Sequence, residues 1–185
     1  TGCYLTPLFE RAFIDGLHQP YLRPSADEWE HALVKTVDLI QPCVNPDCEQ
    51  KWYVFANSTK PICPFCQTPF VGQLPVLNLY SASQEGRFLP DNQRLMVYNN
   101  QSLYQWHSNK LLFPNERLTP EQKRRVGYFV FHQQQWYLVN EALPDLMNVA
   151  SKQTIAIGDK IALVDGLQLL LSRGEGSRVV VVQMV

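Results

Sequence analysis

Four of the five cysteines fall between positions 43 and 66 as two close pairs, Cys43 and Cys48 with four residues between them, Cys63 and Cys66 with two. Thiolates in that pattern point to metal binding. A short loop lets both sulfurs of a pair reach one ion, and the fourteen residues between the pairs are enough for a hairpin that brings them together. Zinc takes four ligands in a tetrahedron, so Cys43, Cys48, Cys63 and Cys66 are the predicted metal ligands and Zn2+ the predicted cofactor. Four thiolates fill the coordination shell and leave no position for water, which predicts a structural ion rather than a catalytic one. Two chance pairs of buried thiols are the competing reading. Cys3 reads as a lone buried or terminal thiol.

The stretch CPFCQTPF is close to the CPxCG knuckle of zinc ribbons, with Gln67 where the glycine stands. A segment this short cannot bury a core of its own, so metal binding would be its folding free energy. Sixteen Lys and Arg against seventeen Asp and Glu leave a formal charge of -1, and no global field favours a polyanion. No apolar run is long enough for a membrane span, and the expected setting is the cytoplasm. Five cysteines in 185 residues do not make a disulfide scaffold.

Three segments differ in composition, giving an expected α+β protein, mostly β with N-terminal helices. Residues 1–41 read as helical. TPLFERAFIDGL places Leu8, Phe9, Ala12, Phe13 and Leu17 on one face, and SADEWEHALVKTVDLI opens with Ser25 as N-cap and Glu28 completing a capping box. Trp29, Leu33, Val37 and Ile40 form its expected buried stripe. Residues 42–74 hold the cysteines around the aromatic run KWYVF. Residues 75–185 alternate short β-branched and aromatic segments with turn residues, the pattern of a sandwich, from RLMVYNN and SLYQWH to RVVVVQMV. Trp106 and Trp136 are expected in its core, and His107 and His132 as satisfied or surface histidines. QEGRFLPD reads as a surface loop and FPNERLTPEQKRR as a longer polar excursion.

The stretch LFERAFIDGLHQP followed by RPSADEW resembles the last helices of a eukaryotic-type protein kinase C-lobe, with Arg23 at the arginine that in kinases pairs with the glutamate of the APE motif. The glycine-rich loop and the catalytic lysine, HRD and DFG motifs of kinases are missing, which predicts that this chain is no enzyme. WYLVNEALPDLMNVA with IAIGDKIALVDGLQLLLS resembles the final third of a forkhead-associated (FHA) domain, Asn148 falling at the family's asparagine and Gly158 and Asp159 at its GD turn. Trp106 and His107 stand where that family has Gly-Arg, so the arginine that holds phosphothreonine is lost. Kinase tail, zinc ribbon and degenerate FHA-like sandwich in this order resemble the C-terminal extension of the bacterial Ser/Thr kinase of tellurite-resistance and stress loci. Those loci also encode a von Willebrand A (vWA) domain protein and a PP2C-type phosphatase.

That resemblance implies a non-catalytic protein-protein interaction module whose partner is the vWA protein, with the phosphatase as a second candidate. Domains of the vWA type often carry a divalent metal that accepts a partner's carboxylate, and Asp91, Glu116 and Asp145, placed in predicted loops, are the candidates. Arg124 and Arg125, with Lys123, are candidate partner contacts or simply a solvated face. Two other functions stay open. A zinc ribbon can bind nucleic acid, though Lys51 and Lys60 are balanced here by Asp47 and Glu49; the sandwich could recognise phosphothreonine peptides.

Overall fold

The computed structural model describes residues 2–55, 59–84 and 87–185. The chain is mostly β with few helices, and it divides into two compact units, Thr1–Gly72 and Gln73–Val185. Part of the expected hairpin tip between the cysteine pairs, 56–58, and part of the expected loop QEGRFLPD, at 85 and 86, lie outside the described residues.

In the first unit α1 (Thr6–Glu10) runs into a π-helical turn, Arg11–Asp15, that ends at Gly16. Gly16 N–H donates to the Arg11 carbonyl at 2.8 Å. A Cβ here would stand 2.6 Å from that carbonyl oxygen and 2.6 Å from Arg23 Cγ, which explains the glycine. Arg23 closes the turn: its Nε donates to Gly16 O at 2.7 Å and its Nη2 to Leu17 O at 3.1 Å. After a 3-10 turn, Pro20–Leu22, comes α2 (Ala26–Val37), whose start is the capping box read from the sequence. Glu28 N–H donates to Ser25 Oγ at 3.3 Å and Ser25 N–H to Glu28 Oε2 at 2.8 Å. Glu28 also accepts from Arg11 Nη1 at 2.5 Å, and this bond, with the backbone bond from Ser25, holds its carboxyl down at about 2.

The apolar faces of these helices differ from expectation. Leu8 is buried, but Phe13 is 65% exposed, Val37 60%, and Phe9, Leu17 and Leu33 are exposed as well. Phe9, in α1 ahead of the π turn, is already exposed and Phe13 stacks on it, while Leu17 lies beyond the last helical residue, Asp15. Ile40 is not helical: α2 stops at Val37, and Ile40 opens β1 (Ile40–Pro42), which pairs antiparallel with β2 (Trp52–Val54).

Among its described residues the second unit holds two antiparallel sheets and one short helix. Six strands stand in the order β4 (Arg87–Met96), β3 (Pro75–Gln84), β12 (Arg178–Met184), β11 (Gln168–Leu170), β8 (Met147–Asn148), β9 (Gln153–Thr154). Four stand in the order β10 (Lys160–Ala162), β7 (Gln135–Asn140), β6 (Arg125–His132), β5 (Ser102–Tyr104). Cross-strand rows carry the core. Leu95, Leu77 and Val182 are register partners in one row and Leu79, Val180 and Leu169 in the next, all buried. Phe129, Trp136 and Leu138 line the buried face of the smaller sheet.

Two local readings change, those of SLYQWH and of QEGRFLPD. SLYQWH is half strand and half helical turn, α3 (Gln105–Ser108), because the buried His107 accepts the Tyr104 N–H on Nδ1 at 3.0 Å and caps the turn. Trp106 therefore leaves the expected core and stacks on Tyr104, ring centroids 4.3 Å apart, while Trp136 is buried as expected. The β6–β7 hairpin turns on Gln133 and Gln134, both in the left-handed region at φ 49° and 60°, the primed turn that matches strand twist. RFLPD, expected in a loop, is the start of β4.

Candidate metal centre

Each cysteine pair sits on its own tight loop. Cys43 directly follows β1 and Cys48 shortly precedes β2. The loop between them closes by Cys43 N–H to Lys51 O at 2.8 Å, and Asn45 Oδ1 accepts from Asp47 N–H at 3.0 Å. In the second loop Cys63 N–H donates to Thr68 O at 3.0 Å and Gln67 N–H to Cys63 O at 2.9 Å, between the paired Ile62 and Pro69.

Gln67, standing where the zinc-ribbon knuckle has glycine, has φ 61°. The backbone of the loop demands the left-handed conformation whichever residue is there, and a side chain raises its cost. Gln67→Gly should therefore stabilise the metal-loaded chain by a few tenths to about 1 kcal/mol, the relief of strain partly offset by the freer unfolded chain. Chelator competition would register this as slower metal loss. A faster loss would mean that the bond from Gln67 Nε2 to Pro64 O, 3.1 Å, matters more than the strain.

The loops bring the four sulfurs within 4.8 Å of one another. Cys43 Sγ lies 3.6 Å from Cys66 Sγ, and Cys48 Sγ 3.9 Å from Cys63 Sγ, both contacts between loops. Sulfurs at 2.3 Å from a central ion in a tetrahedron are about 3.8 Å apart, so the set fits a metal ion. Among the described residues it is the one group of three or more Cys, His, Asp or Glu placed to hold one. Cys48 and Cys63 are buried, Cys43 and Cys66 half-buried.

With no cation, Cys43, Cys48 and Cys66 do not ionise together. Burial pushes Cys48 up to about 12 and raises Cys43 above its ordinary value. The Thr68 hydroxyl, 3.2 Å from Cys66 Sγ, stabilises the thiolate and brings Cys66 down to about 6. A bound cation supplies the charge that lets Cys43 and Cys48 deprotonate. Tyr53 and Phe55 are buried beside this centre and Trp52 is half exposed; burial, then the nearby Cys63, Cys43 and Cys66, raise the Tyr53 hydroxyl to about 12. Cys3 is exposed, not buried.

The other predicted site residues scatter over the second unit. Asp91 is not in a loop: it lies in β4 with its side chain 4% exposed. Its Oδ2 accepts from Arg178 Nε at 2.9 Å and from the Ser81 hydroxyl, and Lys110 Nζ stands 3.4 Å from its Oδ1. Sequence reasoning missed this cluster, and Arg178 with it. Glu116 is exposed in the 109–124 excursion. Asp145 is on a turn 3.7 Å from Arg173 Nε. Arg124 is exposed, whereas Arg125 opens β6, is bound to Glu141 at 2.6 Å and lies over the Tyr128 ring. Asn148 turns its own loop, its Oδ1 accepting from Ala150 N–H at 3.0 Å. His132 is exposed. The outer face of the six-stranded sheet also carries a groove of about 1200 Å³ around Tyr80, Met147, Leu170 and Val179. No described helix is long and apolar enough to cross a membrane.

No protein-family model matches this chain, and neither a curated protein nor a solved structure is significantly similar to it.

Proposed function

We propose that this chain is a non-catalytic interaction module, the C-terminal extension of a bacterial Ser/Thr kinase: a kinase C-lobe tail, a zinc ribbon and a degenerate FHA-like sandwich. Its partner is the vWA-domain protein of a tellurite-resistance or stress locus. The observation that carries the reading is the apolar stripe open on α1 and α2. Phe13 stacks on Phe9 at 6.0 Å, Phe9 meets Trp29 edge-on at 5.0 Å, and Leu33 and Val37 continue the row at helical spacing. A contiguous apolar surface of this kind marks a place where protein packs, and a preceding kinase lobe is the cover this reading assigns.

The remaining parts are consistent with it. Four sulfurs within 4.8 Å of one another suit zinc, whereas Mg2+ and Ca2+ take oxygen. Cys43, Cys48, Cys63 and Cys66 would hold the ion, and what it supplies is cross-linking of the two loops. The two antiparallel sheets supply the layers of an FHA-like sandwich. The carboxylate assigned to the vWA protein's divalent ion is now Glu116. Asp91 is engaged by Arg178 inside the sheet, and Asp145 stands beside Arg173.

Binding of the purified vWA protein, measured by calorimetry with Mg2+ and then with EDTA, tests this. Glu116→Ala should weaken the complex tenfold or more, on the order of 1.4 kcal/mol, and EDTA should do the same. An unchanged affinity for Glu116→Ala would remove the metal-bridged contact. Absence of any complex at micromolar concentration would remove the partner.

A further inference from the structure

We propose that Cys43 and Cys66 form a peroxide-sensitive clasp, in which oxidation joins their sulfurs in a disulfide, expels the metal ion and opens the ribbon. The inference rests on the reading that the four thiolates hold zinc. Access singles out this pair, and distance permits the bond. Cys48 and Cys63 are buried, 4% and 0% exposed, while Cys43 and Cys66 both reach solvent. Their sulfurs are 3.6 Å apart, closer than the 3.9 Å of the buried pair, and must contract to about 2.05 Å to bond. The two residues belong to different loops and are 23 positions apart, so their disulfide would link the loops that the ion links.

Hydrogen peroxide is the oxidant. One thiolate of the pair attacks a peroxide oxygen, the O–O bond breaks, and the departing hydroxide takes a proton and leaves as water. The sulfenic acid formed on that cysteine is then attacked at sulfur by the second thiolate; the S–O bond breaks, the S–S bond forms, and a second hydroxide is protonated to water. In all, two thiolates are oxidised to one disulfide, one peroxide is reduced to two waters, and two protons are consumed. Only Cys48 and Cys63 then remain as thiolate ligands, too few for a closed zinc shell, and the ion is lost. A thiol reductant reverses the step and permits reloading.

The test uses the zinc-loaded full chain with Cys3→Ser, which removes the exposed competing thiol. Peroxide is titrated in, zinc release is read with a colorimetric chelator, and disulfides are mapped by peptide mass spectrometry. The expected result is one equivalent of zinc released together with a Cys43–Cys66 disulfide that precedes any Cys48–Cys63 bond, both undone by dithiothreitol and added zinc. Zinc retained at millimolar peroxide, or a first disulfide within a loop, Cys43–Cys48 or Cys63–Cys66, overturns the clasp and leaves the zinc reading standing. A purified chain that takes up no zinc before peroxide is added overturns both.

Discussion

Stripping the ion we place among Cys43, Cys48, Cys63 and Cys66 should unfold the cysteine block while the Gln73–Val185 unit keeps its fold. The block has little else to hold it. Its sheet is two strands of three residues, and its buried side chains are few, chiefly Tyr53, Phe55, Cys48 and Cys63. Structural zinc contributes on the order of 10–16 kcal/mol in zinc-finger peptides near neutral pH, far more than so small an apolar core can supply. The second unit has its own core in the Leu95–Leu77–Val182 and Leu79–Val180–Leu169 rows and needs no metal. Nuclear magnetic resonance would show collapse of the dispersed amide signals of Cys43, Tyr53 and Cys63 on chelation, with those of Phe129 and Val180 unmoved. Cys63→Ser should reproduce the effect, since it removes one thiolate from a closed set. Acid should act in the same direction: the ligands must be deprotonated to bind, and burial already raises Cys43 and Cys48, so affinity falls as the pH falls. A chelated chain that kept its signals at Tyr53 would show that the cysteine block folds without a metal.

What was legible in the sequence was what local spacing dictates. The four cysteines meet because each pair is a short loop and the chain between them is long enough to double back. Ser25 and Glu28 cap α2 because a capping box needs only residues three apart. The helical stripes were legible as stripes but not as buried, since amphipathicity specifies a face and says nothing about what covers it. Phe13 and Val37 are the result.

The site residues of the second unit were harder for a different reason. Pro90, Asp91 and Asn92 have loop composition, yet they lie in β4, at the sheet's edge, where proline is tolerated. Register explains the mixture: Leu79 faces Gln93 and Tyr80 faces Pro90, so Asp91 and Asn92 are extra residues in a bulge, with Asn92 at φ 50°. The bulge aims Asp91 at an arginine 87 residues away, a contact that no local pattern encodes. His107 is similar on a smaller scale, since its ring caps the turn that propensity would have drawn as strand.

Asp91→Ala should cost about 3–5 kcal/mol, because it leaves the Arg178 guanidinium buried without its counter-charge. Side-chain exposures of 6% for Arg178 and 4% for Asp91 put the pair out of reach of solvent screening. Nor is the arginine held by charge alone. Its Nη1 donates to Trp106 O at 2.7 Å and its Nη2 to Gln93 Oε1 at 3.1 Å, so one side chain ties β12 to β4 and to α3. A loss of that size is a large share of the 5–15 kcal/mol by which a typical domain is stable, and urea midpoints for the Gln73–Val185 unit would drop accordingly. The double variant Asp91→Leu with Arg178→Met separates two origins of this cost. Replacing both charges by apolar groups of similar size removes the uncompensated ion, and it should recover much of the stability, as buried pairs replaced in this way often do. If the double variant is instead as unstable as Asp91→Ala, the bonds from Arg178 to Trp106 and Gln93 carry the stability, and the ion pair serves to position them. If Asp91→Ala costs under about 1 kcal/mol, as an exposed pair would, the carboxylate is open to water. It would then be available to a partner after all.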